Sequence, residues 1–168
     1  METSTKLVPY NYRFGLIAAG IGIVFSLMLH FMEMTYNQSP VIQTVQTLIP
    51  AAVAVIAILT FKKDNSGLLS LKQSIKLGVG VFLVAGIIGL IYFAIFINVL
   101  EPDFITNTAQ LQADTLRETK PEIGEDMIQM QQENTEKFFY ISFPFILIMN
   151  VLIGLVVGLI TGLFAKKN

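Results

Sequence analysis

Apolar residues fall in four long runs, Phe14 to Met34, Val41 to Phe61, Ile75 to Leu100 and Phe138 to Phe164, with nearly all charged residues between or beyond them. At 1.5 Å per residue, each run taken as a helix is long enough for the ~30 Å hydrocarbon layer of a bilayer. The pattern predicts an all-α, polytopic membrane protein with four transmembrane helices, over about 14–34, 41–61, 75–100 and 138–164, in one domain covering residues 1–168. The first run resembles a signal peptide in position, but it ends in HFMEMTYNQS without a small-residue cleavage pattern and is expected to remain a span.

Small residues recur within these runs at helical spacing. Ala18, Gly22 and Ser26 form a stripe on the first span, and Gly154, Gly158 and Gly162 form one on the fourth. Residues four apart return to nearly the same face, so each stripe is a groove into which a second helix backbone can settle. The glycine groove has two candidate partners, the Ala18, Gly22, Ser26 stripe of the same chain or the same groove of a second copy in a homodimer. In the second run Pro40 suits a helix start, while Pro50 deprives the Gln46 carbonyl of its usual donor and predicts a kink. Thr47, Pro50 or Ala51, Ala54 and Ala57 share a face expected to meet protein.

The stretch from about 101 to 137 is polar and acidic, and it predicts a helical hairpin between the third and fourth spans. Pro102 and Pro121 suit the first turns of its two helices, and Phe104, Ile105, Leu111 and Leu116 face Ile123, Met127, Ile128 and Met130. The same acidic, Gln-rich composition also suits a disordered loop. The apolar positions on both halves favour the hairpin.

Charge sets the orientation. With the N-terminus in the cytoplasm, Lys6, Arg13, Lys62, Lys63, Lys72, Lys76, Lys166 and Lys167 are cytoplasmic, eight of the 11 basic residues, and the hairpin is extracytoplasmic. The net charge of -1 hides this sorting. Composition adds little beyond the pattern: 14% charged residues and a mean hydropathy of +0.66 suit a membrane chain. The absence of cysteine removes thiolate metal sites, thiol catalysis and cysteine lipidation.

The stretch GLLSLKQSIKLG (Gly67 to Gly78) resembles the G-x-L-S-x-K-Q-A-x-K-x-G pattern of an uncharacterised family of four-span bacterial inner-membrane proteins, domain of unknown function 4199. NVLEPDF (Asn98 to Phe104), the acidic helical segment and the glycine-rich last span extend the resemblance over nearly the whole chain. Ser74 stands where the pattern leads one to expect alanine. The resemblance implies the four-span architecture, a multi-pass protein of the bacterial inner membrane with both termini cytoplasmic, and an accessory role in the envelope. It implies no chemistry.

Few residues are candidates for chemistry. His30 and Glu33 are expected to share a face at the outer end of the first span, and with Glu101 and Asp103 they form a candidate polar site. One histidine makes a zinc site dependent on those carboxylates, and the simpler reading is an interfacial polar pair. Asn150, near the middle of the fourth span, is expected to be interhelical glue worth roughly 0.6 to 2 kcal/mol. Lys62, Lys63, Lys72 and Lys76 are candidates for contact with anionic lipid head groups or an acidic partner surface, beyond their part in orientation. Ser70 with Lys72 and Gln73 is no nucleophile and base of known spacing, and there is no phosphate loop or nucleic-acid signature. These features predict a non-enzymatic scaffold or accessory subunit of the cell envelope, without a cofactor, whose partners are membrane lipids and a membrane protein or a second copy. The alternatives are a small transporter or channel-like protein, which needs several polar residues at mid-depth, and a protein acting on or alongside lipid-linked glycans through His30, Glu33, Glu101 and Asp103.

Overall fold

The computed structural model describes residues 6–37 and 39–166. They form α1 (Val8–Phe31), α2 (Pro40–Asp64), α3 (Leu71–Ile95) prolonged by a π-helical turn (Phe96–Leu100), α4 (Phe104–Thr119), α5 (Glu125–Phe138), a 3-10 turn (Phe139–Ile141) and α6 (Ser142–Ala165). Four stretches are long and apolar enough to cross a bilayer, Val8–Phe31, Pro40–Asp64, Leu71–Leu100 and the apolar part of Glu125–Ala165. The protein is therefore an all-helical, multi-pass membrane protein. Its helices exceed the apolar runs at several ends. Pro9 in the first turn lets α1 begin at Val8 rather than Phe14, and Ser39, accepting a hydrogen bond from the Val41 N–H at 3.3 Å, caps α2. α2 continues through Pro50.

The chain divides into two compact units, residues 1–89 with 146–168, and residues 90–145. In the first, Phe14 and Ala18 of α1, Val53, Ala54 and Ala57 of α2, and Val81 and Phe82 of α3 form a core against which Ile153 and Val157 of α6 pack. Of the residues expected on the protein-facing side of α2, Ala54 and Ala57 are fully buried, whereas Thr47 is exposed and bonds back to the Gln43 carbonyl at 3.0 Å. A second cluster, Ile58, Phe61, Leu69 and Leu77, gathers Leu7, Tyr10 and Ala165. It joins the start of α1, the end of α2, the start of α3 and the end of α6. The Tyr10 hydroxyl donates to Asp64 Oδ2 at 2.6 Å, and its ring meets Phe61 edge-on at 5.3 Å. Lys6, Arg13, Lys62, Lys63, Lys72, Lys76 and Lys166 consequently share one end of this unit; Lys167 lies outside the described residues. Along the helices Leu16, Val24, Ile56 and Phe164 point outward, the last 90% exposed, a surface suited to hydrocarbon rather than water.

In the second unit α4 and α5 run side by side. Gln132 Nε2 donates to Gln110 Oε1 at 3.1 Å, the Thr135 hydroxyl lies 3.2 Å from Gln112 Oε1, and Arg117 bridges Asp114 at 2.7 Å and Glu125 at 2.9 Å. The carboxylates raise the basicity of Arg117, and the guanidinium holds the Glu125 carboxyl below its usual range. The buried residues of α4 and α5 are Ala109, Ala113 and Ile128. Met127 and Met130, expected to face α4, are instead exposed, because α5 turns the face carrying Ile128, Gln132 and Thr135 toward α4. Pro102 precedes α4, and Pro121 lies in the turn. α5 begins at Glu125, where Glu125 and Asp126 in its first turn complement the helix dipole.

An aromatic cluster occupies the rest of this unit. Phe93 meets Phe104 edge-on at 5.4 Å, Phe143 at 5.9 Å and Phe139 at 6.2 Å, and Phe96 meets Phe104 at 6.1 Å. It ties the end of α3 to the start of α4 and the entry to α6.

Candidate functional site

The basic end of the first unit is organised by residues 62–78. α2 stops in two left-handed residues, Ser66 (φ 57°) and Gly67 (φ +79°), with the Gly67 N–H donating back to the Lys62 carbonyl at 2.9 Å. A side chain at 67 would be strained there, which accounts for glycine. Leu69 then turns fully inward, and α3 opens with a reciprocal cap. The Gln73 N–H donates to Ser70 Oγ at 3.2 Å, and the Ser70 N–H donates to Gln73 Oε1 at 2.8 Å. This cap starts α3 at Leu71 rather than Ile75. Ser70→Ala and Gln73→Ala are each expected to cost about 1 kcal/mol. The double variant should cost less than their sum, because each side chain orders the other, as amide exchange in the first turn of α3 would show.

One turn further on, Ser74 is fully buried and its hydroxyl donates to the Gly158 carbonyl of α6 at 2.7 Å. The residue that departs from the expected alanine thus makes a hydrogen bond between helices. Gly78 follows on the same face, and a Cβ there would run into the Gly154 carbonyl and Gly158 Cα. A Cβ on Gly158 would lie 2.8 Å from Ile75 Cα and the Ser74 carbonyl, and one on Gly162 would lie 2.8 Å from Ser74 Cβ. The glycine groove is therefore filled by α3. The expected partner stripe on α1 does not reach it: Ala18 is buried in the core, Gly22 has open space where a Cβ would stand, and Ser26 is half-buried. What distinguishes α3 is that Ser74 and Gly78, one turn apart, give it a small face of its own, with serine in place of one glycine.

The four candidate lysines differ in exposure. Lys63, Lys72 and Lys76 are exposed, Lys62 is half-buried, and Lys72 and Lys76 stand one turn apart on α3.

The candidate polar site draws on residues of both units. α1 ends at Phe31, and Glu33 adopts a left-handed conformation (φ 59°) while the Met34 N–H closes on the Leu29 carbonyl at 2.8 Å. Glu33 thus lies beyond the helix and does not share a helical face with His30, whose Nδ1 lies 3.1 Å from the Thr35 hydroxyl. Glu101 and Asp103 belong to the second unit. The Glu101 N–H closes the π-turn on the Phe96 carbonyl at 2.9 Å, and the Asp103 carbonyl accepts from Asn107 at 2.9 Å. Among the described residues no three His, Cys, Asp or Glu side chains gather where they could hold a metal ion. Asn150 donates within its own helix, to the Ile146 carbonyl at 2.9 Å, and its Cγ lies 3.5 Å from where a Cβ on Gly86 of α3 would stand. The expected hydrogen bond between helices comes from Ser74 instead.

Sequence patterning gave no sign of Asn11, whose carboxamide lies where a Cβ on Gly80 would stand and whose Oδ1 is buried without a hydrogen-bond partner. A polar residue three positions into an apolar helix was the available signal. The spacing of Phe93 with Phe96, and of Phe139 with Phe143, could likewise have pointed to the aromatic cluster.

No curated protein and no solved structure matches this chain. A family model described as a protein of unknown function, DUF4199, matches residues 13–167, which include the capped turn, both stripes of the α3 and α6 contact and the whole second unit. On that match the chain belongs to the DUF4199 family of proteins of unknown function.

Proposed function

We propose that this protein is a scaffold or accessory subunit of the bacterial cell envelope, set in the cytoplasmic membrane with both termini inside, acting through contacts and without a catalytic step of its own. The observation that carries the reading is the division of labour at the basic end. Ser70, Gln73, Ser74 and Gly78 are engaged in capping and helix packing, while Lys63 at the end of α2 and Lys72 and Lys76 at the start of α3 are left outward. Such a surface recognises acidic groups, on an adjoining protein or on anionic lipid, each lysine contributing on the order of 1 kcal/mol near a charged membrane surface.

Orientation is tested with single cysteines at Ser66 and Thr119, both exposed positions in an otherwise cysteine-free chain. Only the one at 119 is expected to react with an impermeant thiol reagent in intact cells whose outer membrane admits it. Reaction at 66 would reverse the topology. For the partner, a photo-cross-linking residue at position 63 should yield one discrete protein adduct in native membranes, and Lys72→Glu with Lys76→Glu should abolish it. Adducts with lipid alone would leave the lysines to orientation and head-group contact, and the scaffold reading would fail.

A further inference from the structure

A shallow, largely open cleft of about 530 Å³ runs along one side of the second unit. Its wall on α5 and beyond consists of Gln131, Asn134, Thr135, Phe138, Phe139 and Ser142, and Gln112 faces them from α4. No charged side chain lines it. The carboxamides of Gln112, Gln131 and Asn134 each combine donors with an acceptor, as the two hydroxyls do. The Thr135 hydroxyl lies 3.2 Å from Gln112 Oε1 and 3.0 Å from the Gln131 carbonyl, and the Ser142 hydroxyl donates to the Phe139 carbonyl at 2.6 Å. These bonds occupy the hydroxyl hydrogens. They leave the hydroxyl lone pairs and the amide hydrogens of Gln112 for a guest. Phe139 is held by Phe93, Phe104 and Phe143, each within 6.2 Å, so one wall is a pre-set ring, and Phe138 adds a ring 48% exposed.

The lining selects by chemistry. A phosphate or carboxylate would find no cation among the lining residues to pair with it; Lys137, whose Nζ stands 5.5 Å from the Phe138 ring centroid, is a neighbour of the cleft and is already engaged on that ring. A purely apolar guest would strand the carboxamides away from water, at a cost. A guest with hydroxyls that both donate and accept, together with a C–H face to lie on a ring, satisfies every group present. We propose that this cleft binds a neutral carbohydrate, free or as the head group of a glycolipid. The proposal stands whether or not the basic end holds a partner.

The test uses the full chain in phosphatidylcholine nanodiscs and saturation-transfer NMR with two kinds of probe. The first is a set of free sugars, glucose, galactose, mannose and N-acetylglucosamine, and the second is a monoglucosyl or monogalactosyl diacylglycerol added to the disc. Transfer to the ring protons of at least one probe is expected, and Gln131→Ala with Asn134→Ala should reduce it at least fivefold. Both side chains are exposed, so the fold should survive the change. Phe138→Ala should reduce it similarly, and Gln129→Ala, outside the cleft, should not. Transfer from the glycolipid alone would identify a membrane-anchored sugar; transfer from a free sugar would show that the ring suffices. No transfer from any probe, or equal transfer in the Gln131, Asn134 variant, would overturn the proposal.

Discussion

Gly158→Leu is expected to abolish a stable monomer in detergent, and Gly158→Ala to lower its stability by about 2 kcal/mol, the usual cost of overpacking a tight contact. That corresponds to a fall in thermal midpoint of roughly 6 °C at about 2–4 °C per kcal/mol for a chain of this size. The size of the effect follows from what the added carbon meets. At 158 it lies 2.8 Å from Ile75 Cα and the Ser74 carbonyl, which are backbone atoms and cannot step aside as a side-chain tip would. The helices would have to separate, and the Ser74 hydrogen bond to the Gly158 carbonyl would lengthen with them. Packing and such bonds hold membrane helices together, since lipid removes the hydrophobic drive between them. Gly22→Ala is the matched control, with nothing near its added carbon, and should leave the midpoint unchanged. The opposite ranking would move the closest contact to α1. Unchanged monomer stability with loss of a cross-linked dimer would assign the glycine face to a second copy.

The control marks the limit of what patterning reveals. Spacing of four identifies a groove because it depends only on the helical repeat, and Gly154, Gly158 and Gly162 were visible for that reason. Pairing of grooves depends on the arrangement of helices in the bundle, which no local repeat encodes; the Ala18, Gly22, Ser26 stripe and the Ser74, Gly78 face were equally eligible. Serine 74 looked like a minor departure because its worth lies in a carbonyl 84 positions away. At His30 and Glu33 the failure was local. Extending the 3.6-residue period to Met34 placed them together, but α1 ends at Phe31 and turns left-handed at Glu33. Helix ends follow caps more than apolar content, and the Ser70 and Gln73 pair is such a cap. The acidic segment is the converse case. Its helices were readable from charge and proline, and Ile128 of its interior from apolar content, but Ala109 and Ala113 are too small to register as an apolar face.

Phe104→Ala is expected to loosen the second unit from its centre. Truncating a fully buried phenylalanine costs about 3–5 kcal/mol. Phe104 is half-buried, so a cost of about 2 kcal/mol is the reasonable expectation, in line with ring pairs worth about 0.5–1.5 kcal/mol each beyond burial. It meets Phe93 at 5.4 Å, Phe96 at 6.1 Å and Phe139 at 6.2 Å, and so links the first turn of α4 to the end of α3 and the 3-10 turn before α6. Farther along, α4 is held by Ala109 and Ala113 against α5 and by the Arg117 bridge, neither of which involves the rings. Hydrogen exchange should accordingly accelerate most at Asn107 and Thr108, by roughly 30-fold at about 1.4 kcal/mol per factor of ten, and least near Arg117. Phe104→Leu, which keeps much of the apolar volume, should recover part of the protection. Met127→Ala, at an outward position 61% exposed, should change little. Uniformly fast exchange over residues 104–134 in the unaltered chain would show that the acidic composition prevails and the helices do not persist in solution. Protection in Phe104→Ala equal to that of the parent would mean that the alanine contact with α5, rather than the ring cluster, orders α4.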